Sequence, residues 1–264
     1  MDSFESDLNV IHKILKNDET YTKLTIGTNH SLHYHKHMEI YKETYGKNHF
    51  AEILYNTLHN NIYVNEIYIT CNLSTFACGA HKYIEQMIKM RMWKSIYVSS
   101  HSMCVIDALL TLQNSNLIKL QLSSIHTQCD KILKLVQITP SLEHFELDLY
   151  NLSSTDKDQL LQTIHESNIK TFIIHNKHIN LGFIDNIIES KIRNFHLTYL
   201  GFLCKFNLAD NYTILNFTVN SICPDYAQNI LKRNKQYILT ILLCMNRKII
   251  PRCVFKSMIL NEFI

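Results

Sequence analysis

The chain has 264 residues, 46% of them hydrophobic and 19% charged, which suits a folded protein with a sizeable core and excludes a disordered one. A formal net charge of +3 is too mild for a dedicated nucleic-acid binder, and 5 Gly with 3 Pro argue against glycine-rich phosphate loops and turn-dense folds. Residues Met1 to Asp7 are acidic and polar, unlike a secretion signal, and the longest strongly apolar stretch, Ile238 to Cys244, is far short of a bilayer span. These features predict a soluble cytoplasmic protein whose scattered cysteines, Cys71, Cys78, Cys104, Cys129, Cys204, Cys223, Cys244 and Cys253, are reduced core thiols.

Residues 1–20 place Phe4, Leu8, Ile11, Ile14 and Leu15 at helical spacing and predict a capping helix. From Tyr21 onward one pattern recurs: apolar, two variable residues, apolar, one variable residue, apolar. Its copies are Tyr21, Leu24, Ile26; Val64, Ile67, Ile69; Trp93, Ile96, Val98; and Leu117, Leu120, Leu122. They continue with Leu142, Phe145, Leu147; Ile169, Phe172, Ile174; Ile192, Phe195, Leu197; and Tyr212, Leu215, Phe217. The alternation predicts short strands with one buried face. Successive copies start 43, 29, 24, 25, 27, 23 and 20 residues apart, the first interval holding an insertion at about 30–60. Three residues past the third apolar position stand Asn29, Asn72 and Asn220, where an Asn side chain can satisfy the turning backbone.

Helix-compatible stretches follow the strands: His81 to Met92, Asp107 to Leu112, Lys131 to Val136, Ser154 to about Ser167, and Asp225 to Lys235. Ser154 or Thr155 suits an N-cap, and Pro224 sits where a helix tolerates it. The outward strand positions then form a varied surface of Tyr68, Thr70, Tyr97, Ser99, Gln121, Ser123, Glu146, Asp148, Ile173, His175, His196, Thr198, Asn216 and Thr218. Rigid tyrosine-bearing faces suit protein recognition.

Strand and helix alternating in units of 20–29 residues resembles the leucine-rich-repeat family, in its ribonuclease-inhibitor-like, helix-bearing subtype, over roughly Tyr21 to Gln236. The resemblance implies an α/β solenoid, a horseshoe of about eight degenerate repeats with parallel strands on the concave face and helices on the convex face. The domain plan is a capping helix at 1–20, repeats at 21–236, and a C-terminal cap at 237–264. Ile238 to Cys244 is expected to be a buried strand or helix of that cap. The 34 Ile and 25 Asn also indicate an A/T-rich genome, and with the degenerate repeats the chain is similar to the leucine-rich-repeat gene families of large insect poxviruses. A viral source would place it in the host cytoplasm.

Near the end, Ile250, Pro251, Val254, Phe255, Met258 and Ile259 resemble the first helix of an F-box, which would dock a cullin-type ubiquitin ligase. Their plainer reading is a helix that covers the last repeat. The cluster His30, His33, His35, His37 reads first as a solvated loop, with zinc binding as the alternative. Lys232, Arg233 and Lys235 read as a basic helix end. Glu143, Glu146 and Asp148 form an acidic patch read as part of a binding surface rather than an acid–base pair. The expectation is a non-enzymatic scaffold without cofactor, binding a partner protein on the strand face and engaging neither nucleic acid nor membrane. The alternatives are a ubiquitin-ligase substrate adaptor and a metal-binding protein.

Overall fold

In each repeat, alternate side chains leave a short strand on opposite faces, so the second and third apolar residues enter the core together while the residue between them stays outside. A computed structural model describes residues 2–26, 50–70, 80–90, 93–99, 103–112, 116–123, 129–148, 154–176, 192–199, 214–220 and 222–246. It is an α/β architecture of eight parallel strands alternating with helices, and strand order follows chain order. The chain divides into two compact units, Met1–Ser141 and Leu142–Ile264.

The first unit contains α1 (Asp2–Leu15), β1 (Lys23–Ile26), α2 (Phe50–Leu58), β2 (Glu66–Ile69), α3 (Ala80–Lys89), β3 (Ser95–Ser99), α4 (Met103–Leu109), β4 (Lys119–Ser123) and α5 (Cys129–Ile138). Its strands pair in register so that Leu24, Ile67, Ile96 and Leu120 fall in one row, and Ile26, Ile69, Val98 and Leu122 in the next. All eight side chains are buried. One carbonyl per repeat links each turn of chain to the next. The Thr22 oxygen accepts the N–H groups of Asn65 and Glu66, that of Asn65 accepts Lys94 and Ser95, and that of Lys94 accepts Ile118 and Lys119. This satisfies backbone groups just before each strand, where the ladder has not begun.

The predicted capping helix is α1, which packs on α2 with Ile11 and Ile14 buried. Helix α2, with Leu54 and Leu58 buried, lies in the segment read as an insertion, where the sequence pattern predicts no element. Two residues past the end of α1, Asn17 takes left-handed backbone (φ 50°), a conformation Asn accepts more readily than most residues. Two asparagines fasten this end to the chain entering β2. Asn17 Nδ2 donates to the Asn60 carbonyl at 3.2 Å, and its Oδ1 accepts the Ile62 N–H at 3.1 Å. The buried Asn61 donates to the Ile14 carbonyl at 2.9 Å and accepts the N–H groups of Tyr63 and Val64 at 2.9 and 2.7 Å. Trp93 is buried, and its Nε1 donates to the Met87 carbonyl at 2.7 Å, tying α3 to the approach to β3.

The second unit contains β5 (His144–Asp148), α6 (Ser154–Glu166), β6 (Thr171–Asn176), β7 (Asn194–Tyr199), β8 (Asn216–Val219) and α7 (Asp225–Asn246). The shared-carbonyl device recurs: Glu143 accepts from Lys170 and Thr171, Lys170 from Arg193 and Asn194, and Arg193 from Leu215 and Asn216. The core row differs in kind. Phe145, Phe172, Phe195 and Phe217 are buried and stack, with centroid separations of 5.9, 6.2 and 5.8 Å and interplanar angles of 20–23°.

Two expectations need correction. The eighth repeat is not Tyr212, Leu215, Phe217 but Ile214, Phe217, Val219: β7 and β8 pair Phe195 with Phe217 and Leu197 with Val219, and Ile214, Phe217 and Val219 are buried. Its interval from Ile192 is therefore 22 residues rather than 20. Asn220 consequently follows the third apolar residue directly. It holds left-handed backbone (φ 51°) at a tight turn across which Val219 and Ile222 exchange backbone hydrogen bonds. The other two asparagines of that pattern, Asn29 and Asn72, lie outside the described residues.

The second correction concerns α7. One 22-residue helix runs through both the predicted segment Asp225–Lys235 and the apolar stretch Ile238–Cys244, crossing residue 236 without a break. No Gly or Pro lies between Lys235 and Asn246 to stop it. The basic run Lys232–Lys235 is thus mid-helix, not at a helix end, and Leu239, Leu242 and Leu243 are half exposed rather than buried. The helix is tied to β8 by the buried Asn234, whose Nδ2 donates to the Ile214 carbonyl at 2.8 Å.

Candidate functional site

The predicted strand-face residues whose side chains are described lie opposite the core, and each unit assembles its own set. In the first unit, strand pairing lines up Thr25, Tyr68, Tyr97 and Gln121 in one row, with Ser99 and Ser123 in the next. Tyr68 and Tyr97 stack at 5.5 Å between centroids and 30° between planes. Lys23 Nζ sits 3.6 Å from the Tyr68 centroid. Its ammonium meets the electron-rich ring face, which fixes both side chains at the surface. Tyr68, Tyr97, Gln121, Ser99 and Ser123 are half-buried, which leaves each rigid but accessible. Thr70 is exposed just past β2, its backbone N–H bonded to the Ile26 carbonyl at 2.9 Å.

In the second unit, Glu146, Ile173, His196 and Thr218 share one row, and Asp148 and His175 the next. His175 lies diagonally across from Glu146, and its Nε2 is 3.0 Å from Glu146 Oε1. That hydrogen bond raises the His175 pKa above its ordinary value; burial opposes the shift, and the charges of Glu146 and Asp148 assist it. His196 behaves oppositely. Burial lowers its pKa, with only a partial offset from the charge of Glu146, and its Nδ1 pairs with Thr218 Oγ1 at 2.7 Å. Two histidines on neighbouring strands therefore differ in charge at a given pH near 6.5.

A third row in this unit carries Thr171 and Asn194, which the sequence reading did not single out, and Asn216, which the corrected register moves here from the predicted row of His196. Asn194 Nδ2 donates to Thr171 Oγ1 at 3.0 Å, and Asn216 Nδ2 donates to Asn194 Oδ1. Lys235 of α7 donates to Asn216 Oδ1 at 3.4 Å, so the exposed Asn216 ends a polar rail. Lys23 and Glu66 occupy the equivalent row of the first unit. The signal that finds this row is strand periodicity itself: it lies two residues before the outward position between the last two apolar residues.

His30, His33, His35 and His37 lie outside the described residues, as do Ile250, Pro251, Val254, Phe255, Met258 and Ile259. Among the described residues no group of three or more His, Cys, Asp or Glu side chains could hold a metal ion. Of the cysteines described, Cys129 is buried and Cys223 half-buried, both as free thiols. No helix among the described residues is long and apolar enough to cross a membrane.

Alternating β/α units with all-parallel strands thus define a repeat-like α/β protein. No family model matches the chain, and neither a curated protein nor a solved structure matches it.

Proposed function

We propose that the chain is a leucine-rich-repeat protein of the helix-bearing subtype that works without catalysis, binding a partner protein through outward side chains of its parallel strands. The observation that carries this reading is the outward surface itself: a Tyr68–Tyr97 stack braced by Lys23 in one unit, and a Glu146–His175 pair beside His196 in the other. Such side chains are already ordered before any partner arrives, so binding costs little additional side-chain entropy. Stacked tyrosines add large, rigid contact area with a hydroxyl at its edge. The same repeat pattern and A/T-rich composition support a source among large insect poxviruses, in which case the partner is a host protein.

The test is quantitative affinity capture with the tagged full chain, compared with Tyr68→Ala/Tyr97→Ala and with Glu146→Lys, each checked for unchanged circular dichroism. The expected outcome is a protein recovered with the unmodified chain and depleted at least about tenfold by one of these changes, as befits loss of an interface anchor. Recovery of the same proteins at the same yield by all three forms would sink the strand-face reading.

A further inference from the structure

The second unit carries a groove that the strand-face reading does not use. It runs along α7 and is lined by Cys223, Gln228, Leu231, Lys232, Lys235, Gln236 and Leu239, with a volume of about 460 Å³. Its helix-borne residues fall at i, i+3, i+4, i+7, i+8 and i+11, one stripe of a helix surface. The stripe has an apolar floor, Leu231 and Leu239, and a charged rim, Lys232 and Lys235. Leu239 is 56% exposed, and Leu242 and Leu243, each 50% exposed, extend the apolar stretch by about a turn. Three half-exposed leucines on one helix are more than scattered surface apolarity. Near the start of α7 the charge reverses, where Gln228 is held by Asp225 at 3.0 Å.

We propose that this groove receives an amphipathic helix from a partner protein, apolar along one face and acidic where it meets Lys232 and Lys235. Helices recognised in grooves present apolar anchors at i, i+3/i+4 and i+7, the same period as the stripe on α7. Charge complementarity selects the partner's sign: an acidic flank is attracted by the two lysines and a basic one is repelled. It also argues against the chain's own residues 247–264, which carry Arg247, Lys248, Arg252 and Lys256 against a single Glu262.

The test uses the full chain and two fluorescent probes of roughly 14 residues, four helical turns: an amphipathic peptide of Leu and Glu, and the same pattern with Lys for Glu. Fluorescence anisotropy should show the Glu peptide binding at least about tenfold more tightly than the Lys peptide, with the difference shrinking as salt is added. Lys232→Glu/Lys235→Glu should reverse the preference, and Leu239→Asp should remove binding of both. Tyr68→Ala/Tyr97→Ala should leave the Glu peptide's affinity unchanged, which separates this groove from the strand face. Equal affinity for the two peptides, or an unchanged preference in the double variant, would overturn the proposal. So would binding that emerges only after residues 247–264 are deleted, which would make that segment the occupant. Self-association abolished by Lys232→Glu/Lys235→Glu in sedimentation would overturn it too, by making a second copy the occupant.

Discussion

The two units solve one packing problem with different materials. Both bury the second apolar position of every repeat in a row across parallel strands. The first unit fills that row with Leu24, Ile67, Ile96 and Leu120, the second with Phe145, Phe172, Phe195 and Phe217. Their outward faces differ as well: an aromatic and cationic face in the first, a histidine and carboxylate face in the second. The repeat backbone demands an apolar side chain of some shape at the inward sites and leaves the outward chemistry open. Surface identity can therefore diverge between units without disturbing the fold.

The core rows give the largest expected difference. A phenylalanine in mid-ladder loses buried area and two stacked neighbours when truncated, so Phe172→Ala should cost about 3–5 kcal/mol. Ile96→Val, at the corresponding site of the first unit, removes one methyl group and should cost about 0.5–1.5 kcal/mol. Urea unfolding followed by circular dichroism measures both. A Phe172→Ala cost no greater than that of Ile96→Val would mean that the ladder is not the stabilising feature of the second unit.

Among the described residues, each unit holds a buried asparagine in a helix-to-strand tie. Asn61 serves three backbone groups, the Ile14 carbonyl and the N–H groups of Tyr63 and Val64. Asn234 serves one, the Ile214 carbonyl, while its Oδ1 accepts from Arg233 at 3.0 and 3.2 Å. Because a buried backbone group left unpaired costs roughly 1–3 kcal/mol, Asn61→Ala should destabilise by about 3 kcal/mol and Asn234→Ala by about 1–2 kcal/mol. The reverse order in the same urea experiment would show that solvent reaches the vacated Asn61 site.

These ties show where sequence reading stops. Inward positions were legible because hydrophobicity at period two is written residue by residue, and the strands lie where that pattern recurs. The eighth repeat slipped by two residues for a physical reason. Tyr212, Leu215 and Phe217 satisfy the same pattern as Ile214, Phe217 and Val219, and a two-residue shift leaves every side chain on its face. Only pairing with β7, and the Arg193 carbonyl that accepts Leu215 and Asn216, resolves the register. The outward residues were likewise legible as a face. The Glu146–His175 contact was not, because it joins residues 29 positions apart through a register that composition does not encode. Nor does anything in a chain with 25 asparagines mark Asn61 and Asn234 for burial.

The smallest expected effect separates the two histidines of the second unit, and its sign can be worked out for each. His175 has a folded-state pKa above its ordinary 6.5 because Glu146 accepts its hydrogen bond. Its contribution to stability is full below the unfolded pKa and is lost as pH rises through the folded value. His196 has a folded-state pKa depressed by burial, so the unfolded state binds its proton more readily and stability falls as pH drops below 6.5. The two contributions have opposite signs near neutrality, so a bulk measurement of stability against pH does not separate them. Resolving them takes residue-specific titration by NMR, in which the His175 ring should titrate above 6.5 and that of His196 below. Glu146→Gln removes the carboxylate charge and turns a charge-assisted hydrogen bond into a weaker neutral one. Burial then dominates, so His175 should fall toward or below 6.5, while His196, losing its one favourable charge, should fall further. A His175 titration that does not move in Glu146→Gln would mean that the pair does not persist in solution, and the distinctive chemistry of this face would then rest on His196 and Thr218 alone.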